Sequence, residues 1–394
     1  MIQRTYYQVV KERIKERRKF IQIIEGPRQI GKSTLIKQVL KSIDTPWLHF
    51  AADNVPATNA NWISECWETA RNEMSIKKLR EMILVIDEIQ KLPNWSEAVK
   101  KEWDYDTFND INIKVILLGS SRVRMEKGLS ESLMGRFEVI KMPHWTFQEM
   151  RDAFNFSLDE YIFYGGYPGA ADFIHNSERW KNYISSAIVD ATINNDILVD
   201  TPIAKPALLR QTFELSTSYS GQLLSLTKML GQLQDAGNVT TISNYLNLLD
   251  KSGLVGGLQK FSIDKARQRA SIPKYQVYNN ALLAVYNNLD LKKVRQEPKL
   301  WGRIFESAIG THIVNNAYTE NFNVFYWREN SLEVDFVLQK NDSVVAIEVK
   351  SNDKNYTQGL EEFKKRFSPS RTLIIGKSGI DAETFFSLNL AELF

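Results

Sequence analysis

Between residues 21 and 142, short apolar runs alternate with longer stretches whose apolar positions recur three and four apart. The runs are Ile21-Gln22-Ile23-Ile24, Trp47-Leu48-His49-Phe50, Met82-Ile83-Leu84-Val85-Ile86, Lys114-Val115-Ile116-Leu117-Leu118 and Glu138-Val139-Ile140-Lys141-Met142. Each is too short for a helix. Near-continuous hydrophobicity, as at 82–86 and 114–118, is what a strand covered on both faces of a parallel sheet requires. The intervening segments, such as Thr34 to Leu40, carry helical spacing, so the chain opens as a parallel sheet with helices on both faces. From 177 to 200 the pattern is helical. Two further helical stretches follow, Ala207 to Thr217 and Ser225 to Leu230. Then comes the amphipathic segment Asn238 to Val255, with Ile242, Leu246 and Leu249 on its apolar side. Beyond residue 320 the period falls to two. Phe325 to Arg328, Leu332 to Leu338 and Val344 to Lys350 read as paired strands, with Asn341-Asp342 as a connecting turn.

At 394 residues the chain is too long for one ordinary core, and it reads as several domains. Its 25% charged and 43% hydrophobic residues are ordinary globular composition. A net charge of +3 permits a nucleic-acid partner without arguing for one, so any such case rests on local clusters. One cysteine, Cys66, excludes an internal disulfide framework and any multi-cysteine zinc centre. No apolar run approaches the roughly 18–20 residues that span a bilayer, and the N-terminus lacks a signal-peptide core. The expected location is the cytoplasm, with no membrane partner.

The first apolar run leads into Gly26-Pro27-Arg28-Gln29-Ile30-Gly31-Lys32-Ser33, followed by Thr34 in the helical segment. Strand, glycine-bounded loop and helix with G-x-x-x-x-G-K-[ST] spacing suit a triphosphate. The glycines let the loop curl so that its N–H groups face phosphate oxygens. The helix start adds unpaired donors and a positive dipole end. Lys32 would reach the β- and γ-phosphates, and the Ser33 hydroxyl would ligate Mg²⁺.

The run at 82–86 ends in Asp87-Glu88, at the edge where ligands of open α/β sheets sit. Asp87 is the expected second Mg²⁺ holder, and Glu88 the group that orients or deprotonates attacking water. The run at 114–118 ends in Gly119-Ser120-Ser121. Either serine is placed to sit beside the γ-phosphate, or the pair makes a turn or helix cap. Arg136 is the candidate charge-stabilising arginine, in cis or across a subunit interface, or else a surface arginine with a carboxylate partner. The basic segment 6–20 reads as a solvated helix face, with a DNA-backbone contact as the alternative.

GPRQIGKST, IDEIQKLPNW, LLGSS and ESLMGRF together resemble a widespread bacterial and archaeal family of AAA-type ATPases fused to a C-terminal nuclease-like domain. Tyr164-Gly165-Gly166-Tyr167-Pro168-Gly169 is similar to that family's linker turn. The resemblance implies an AAA-type core over 1–155, a helical lid or linker over 156–204, ATP and Mg²⁺ as ligands, and a possible homo-oligomer.

Residues 205–275 resemble a winged helix. Thr241, Ser243, Asn244 and Asn247 would face outward on its second helix, available to a DNA groove. The wing at 256–274 carries Lys260, Lys265, Arg267, Arg269 and Lys274 against the single acid Asp264, which suits phosphate contact. The other use of such a module is packing between domains.

The last third, 276–394, gathers acids. Strand alternation puts Glu348 and Lys350 on one face, with Asp335 arriving from the adjacent strand. Asp335 and Glu348 would hold Mg²⁺ or Mn²⁺, and Lys350 would position or activate water for phosphodiester attack. Read as D…E-x-K, this resembles the PD-(D/E)XK nuclease core. In that resemblance Glu306 stands at the helix-borne acid, Gln358 is an auxiliary group, and Val334 replaces the usual proline. The expected fold is therefore α/β: a P-loop AAA-type parallel sheet with a helical lid, a winged-helix module, then a restriction-endonuclease-like domain. The expected function is a Mg²⁺-dependent ATPase coupled to a domain acting on nucleic acid, with DNA the expected partner. The alternative is an ATP-dependent regulator that binds DNA or protein and cuts nothing.

Overall fold

The run at 82–87 forms a strand buried at every position, and the first sheet is assembled around it. The computed structural model describes residues 3–56, 58–120, 125, 128–129, 132–234, 237–351 and 358–394. β1 (Ile21–Glu25), β2 (Trp47–Ala51), β3 (Met82–Asp87), β4 (Ile113–Gly119) and β5 (Phe137–Lys141) form one parallel sheet in the order β2-β3-β4-β1-β5. β3, an interior strand with neighbours on both edges, is apolar from Met82 to Ile86 and buried throughout. β2, at the sheet's margin, alternates between exposed and half-buried positions. Helices Trp62–Lys77 and Trp95–Phe108 bury Trp67, Val99 and Trp103 against Leu84, Ile86 and Leu117. The crossover from β1 runs one way along the sheet and that from β4 runs the other. This opens a crevice at the C-terminal ends of β1 and β4.

The N-terminal basic segment behaves only partly as a solvated face. Helix Tyr6–Lys15 buries Val10 and Ile14 and exposes much of its charge. Arg18, by contrast, lies 3.5 Å from the Trp103 ring centroid. It donates to the carbonyls of Ile113 and Trp103 and to the Thr107 hydroxyl, so it is tied to the core rather than offered to a polyanion.

The chain divides into two compact units, Met1–Met142 and Pro143–Phe394. In the second, helices Phe147–Phe154 and Leu158–Tyr164 start with reciprocal capping boxes, Thr146 with Glu149 and Ser157 with Glu160. The helix-rich segment after 177 includes two π-helical stretches, Tyr183–Asp190 and Ile193–Ile197. Helices Pro206–Ser218, Leu226–Leu230 and Val239–Lys251 precede a hairpin of β6 (Val255–Lys260) and β7 (Lys274–Val277). Ile242 and Leu249 are buried as their spacing demands, and Ser243, Asn244 and Asn247 are exposed. Tyr245, rather than Leu246, completes the buried face.

Helix Pro298–Glu320 leads into β8 (Asn323–Glu329), β9 (Leu332–Lys340) and β10 (Ser343–Lys350), an antiparallel meander. Asn330 and Asn341 take positive φ in its two turns. Helix Gln358–Phe367 then brings β11 (Arg371–Gly376) back parallel to β10. The six-stranded sheet runs β11-β10-β9-β8-β6-β7. It crosses the expected domain border at 275/276, because β6 pairs with β8 as well as with β7. Phe325, Trp327, Val337 and Phe363 form the core beneath it. Among the described residues, no helix is long and apolar enough to cross a membrane.

Candidate functional site

The loop after β1 is shaped by two glycines used for different reasons. A Cβ on Gly26 would lie 2.2 Å from the Met142 carbonyl oxygen, so only glycine lets the loop start there. Gly31 holds φ +87°, a left-handed conformation in open space, and from it helix Lys32–Leu40 begins two residues before the apolar periodicity does. Gln29 also takes positive φ, and Ile30 is buried as the loop's anchor. Arg4 fastens the loop from outside, donating to the Ile30 carbonyl at 3.0 Å. Lys32 is buried within the curve, its ammonium donating to the carbonyls of Gly26 at 2.9 Å and Pro27 at 2.8 Å. Pro27 and Arg28 are half-buried, and Ser33 and Thr34 are exposed at the helix start.

The strand ends meet this loop. The Ser33 hydroxyl donates to Asp87 Oδ2 at 2.6 Å, which joins the two expected Mg²⁺ holders in one hydrogen bond. Asp87 Oδ1 accepts from the Glu88 backbone at 2.9 Å. Glu88 takes φ +54°, and its Oε2 accepts from Ser120 at 2.9 Å and from Gln90 at 2.8 Å. Ser33, Asp87, Glu88 and Ser120 thus form one connected polar chain across the C-terminal ends of β3 and β4. A hydroxyl and a carboxylate on that edge are the hard oxygen donors a Mg²⁺ ion takes alongside substrate phosphates. Ser121 lies outside the described residues, as does Glu131 of the ESLMGRF stretch. Gln90 (4% exposed) and His49, whose Nε2 is 3.9 Å from Asp87 Oδ2, belong to this neighbourhood. His49 carried no motif that sequence reasoning could have used, whereas Gln90 stands within IDEIQKLPNW and was given no role there.

Arg136 stands elsewhere. Its guanidinium grips Asp104 in a fork, Nε to Oδ1 at 2.7 Å and Nη2 to Oδ2 at 3.1 Å, and its carbonyl accepts from the Ile21 amide. It therefore precedes β5 at the N-terminal edge of the sheet. The phosphate loop is at the other edge, one five-residue strand away, or about 16 Å. The cis role expected for Arg136 is corrected to that of a carboxylate partner, and Asp104 raises its pKa.

The second unit gathers Glu306, Asp335, Glu348 and Lys350 in one place. Helix Pro298–Glu320 supplies the first, β9 the second and β10 the last two. Asp335 Oδ2 accepts from the Val349 amide at 2.7 Å, and Lys350 pairs with Glu348 Oε1. Buried Glu348 Oε2 has no hydrogen-bond partner among the described residues. Burial, then the nearby Asp335, pushes the Glu348 carboxyl well above the usual range despite Lys350. Burial raises Glu306 as well, with Asp335 and Glu333 adding to it and Lys274 opposing.

Lys274 is the residue that sequence reasoning misplaced. Expected on an exposed wing to meet phosphate, it is 1% exposed, with its ammonium 2.7 Å from Glu306 Oε1 and 3.6 Å from Asp335 Oδ1. Burial would lower its pKa, but Glu306, Asp335 and Glu333 outweigh that and raise it. Among the described residues, no three His, Cys, Asp or Glu side chains are grouped to hold a metal ion. Asp335 and Glu348 offer hard oxygens for one, while Glu306 faces an ammonium.

Residues 18–151 match a family described as an AAA domain. The N-terminal unit is an AAA-like, P-loop domain. Behind this AAA-like domain, residues 155–293 and 301–387 match two domains of unknown function, DUF8612 and DUF4143. An uncharacterized protein of Haemophilus influenzae is 24% identical over 381 residues, 91% of this chain and 89% of that protein. One of Methanocaldococcus jannaschii is 22% identical over 366 residues, 88% of this chain and 78% of that protein. Among solved structures, the replication initiator DnaA bound to AMPPCP and single-stranded DNA aligns with a TM-score of 0.33 and 17% identity. That alignment covers 62% of this chain and 88% of the DnaA chain.

Proposed function

We propose that the AAA-like domain binds and hydrolyses MgATP, and that this activity is coupled to a second unit that acts on nucleic acid. The observation that carries the first part is the polar chain Ser33–Asp87–Glu88–Ser120 lying beside the Lys32 loop. Mg²⁺ held at Ser33 and Asp87 would offset charge on the phosphates. Lys32 exchanges its two loop carbonyls for phosphate oxygens, and the loop's N–H groups hold the remaining charge. Glu88, oriented through its hydrogen bonds from Ser120 and Gln90, takes a proton from the attacking water.

Support for the second part is the element order helix, antiparallel β8-β9-β10, helix, then β11 parallel to β10, with Asp335, Glu348 and Lys350 on adjacent strands. Carboxylates and a lysine on neighbouring strands are what the resemblance to the PD-(D/E)XK core implies. The exposed Ser243, Asn244 and Asn247, with the exposed Lys265, Arg267 and Arg269, support a winged-helix module facing DNA. A cavity of about 960 Å³ is lined by Lys228, Lys260, Arg267, Arg328 and Arg366 together with the acids Asp264 and Glu329. The second reading, a nucleotide-dependent regulator that cuts nothing, is favoured by Lys274 standing among the carboxylates.

Phosphate release from ATP is expected of the full chain and is expected to vanish in Lys32→Ala together with binding of an ATP analogue. A wild-type chain with no affinity for adenine nucleotides at any Mg²⁺ concentration would remove the proposal at its first step. Plasmid incubated with Mg²⁺ or Mn²⁺, with and without ATP, separates the two readings. Cleavage lost in Lys350→Ala supports the nuclease, and salt-dependent binding without cleavage supports the regulator.

A further inference from the structure

Four carboxylates and two ammonium groups share one small region of the second unit. The Lys274 ammonium is surrounded by Glu306 Oε1 at 2.7 Å, Asp335 Oδ1 at 3.6 Å, Glu333 Oε1 at 3.8 Å and the Asp335 backbone oxygen at 3.2 Å. The Phe336 ring centroid lies 4.9 Å from it. Oxygens converging from a helix and a strand onto one buried point are the donor set of a hard cation, and here that point is taken by a side chain of the same protein. Directly beyond Asp335, whose other oxygen is held by the Val349 amide, Glu348 Oε2 is buried without a hydrogen-bond partner among the described residues. Glu306, Glu333, Asp335 and Glu348 against Lys274, Lys350 and Arg328, whose Nη1 is 3.8 Å from Glu333 Oε2, leave a formal charge of −1, and withdrawal of Lys274 would leave the −2 that one divalent ion neutralises. An ammonium and a dication cannot hold the same oxygens, because their mutual repulsion at that distance exceeds what the second one gains.

We propose that Lys274 is a built-in competitor for the divalent ion. While its ammonium holds Glu306 and Asp335, the cluster is closed to metal, and a hard divalent cation such as Mn²⁺ binds as the lysine withdraws. This inference deepens the nuclease-like reading of the cluster and rests only on its metal-binding part. Lys274 is buried but opens β7, paired with Leu258 and bridged to Leu223, and it follows the exposed Ile272 and the exposed helix Lys265–Arg269, so its withdrawal requires the end of that strand to come away from both neighbours.

The test is Mn²⁺ binding to the full chain without nucleotide, read by the electron paramagnetic resonance of free Mn²⁺ and by the thermal midpoint. All variants are made in an Asp87→Asn background, so that the other candidate ion site does not contribute. Lys274→Met is expected to bind Mn²⁺ at least about tenfold more tightly than its parent, since one positive charge leaves the site. Its thermal midpoint should also rise more on adding Mn²⁺. Removing the lysine strands Glu306, so the double variant Lys274→Met with Glu306→Gln, which replaces the ion pair by a neutral one, is measured beside it. It should exceed the Glu306→Gln single variant, made in the same background, in Mn²⁺ affinity through Asp335 and Glu348. Equal or weaker affinity in the folded variants, or no Mn²⁺ binding in any of them, overturns the proposal. Plasmid cleavage by wild type with unchanged Mn²⁺ affinity in the variants would sink the competition and leave the nuclease reading standing. Tighter Mn²⁺ binding without cleavage by any form would do the reverse.

Discussion

Glu88→Gln is expected to keep its grip on MgATP while ATP turnover falls by roughly two to four orders of magnitude, the usual share of a positioned general base. The glutamine carbonyl can still accept from Ser120 or Gln90, so the strand end should keep its shape. What the amide lacks is the basicity to take a proton from water. Lys32, Ser33 and Asp87, which carry the phosphate and Mg²⁺ contacts in this reading, are untouched. Isothermal titration with ATP and a phosphate-release assay on the same preparation separate the two effects. If turnover survives at the wild-type rate, Glu88 is not the base. If binding and turnover fall together, its role lies in building the loop.

The second large effect is on stability in acid. His312 is buried in helix Pro298–Glu320, with its ring 5.5 Å from Phe385 and 5.3 Å from Phe386. Burial pushes its pKa down to about 4, with the Leu388 backbone opposing weakly. Unfolding returns it to its ordinary value of 6.5. Between these values the unfolded chain binds a proton that the folded chain refuses. Stability is therefore intact above pH 6.5 and is lost as pH falls toward 4, by at most about 3 kcal/mol. His312→Phe keeps a ring among the phenylalanines and removes the proton site. Urea melts at pH 7.5 and 4.5 should show a smaller acid penalty for the variant by that amount. An identical pH dependence in the two proteins would place acid sensitivity elsewhere.

The candidate nucleotide site was legible because its pattern is written locally. Eight consecutive residues make the loop, and Asp87, Glu88 and Ser120 follow directly from where apolar runs end. What the sequence hid was set by partners far along the chain. Lys274 is one cation among several in a basic stretch, and only the arrival of Glu306 and Asp335 beside β7 makes it a buried counter-ion. Arg136 sits close in sequence to the sheet's last strand, but its use depends on which end of that strand it precedes. The join of β6 to β8 rests on two register pairs, Gln259 with Phe325 and Lys260 with Tyr326, which no short-range pattern announces. The residues 241–249 were readable on one side only. Periodicity found the buried face, and tertiary packing chose Tyr245 over Leu246 to complete it.

Met142 ends the first unit and leans on the first residue of the phosphate loop. Its amide donates to the Glu25 carbonyl at 2.8 Å, and its own oxygen occupies the space that any side chain at position 26 would need. The loop cannot shift at Gly26 without displacing the peptide through which the polypeptide leaves that unit. The start of the phosphate loop and the exit of the chain from the first unit therefore share one close backbone contact.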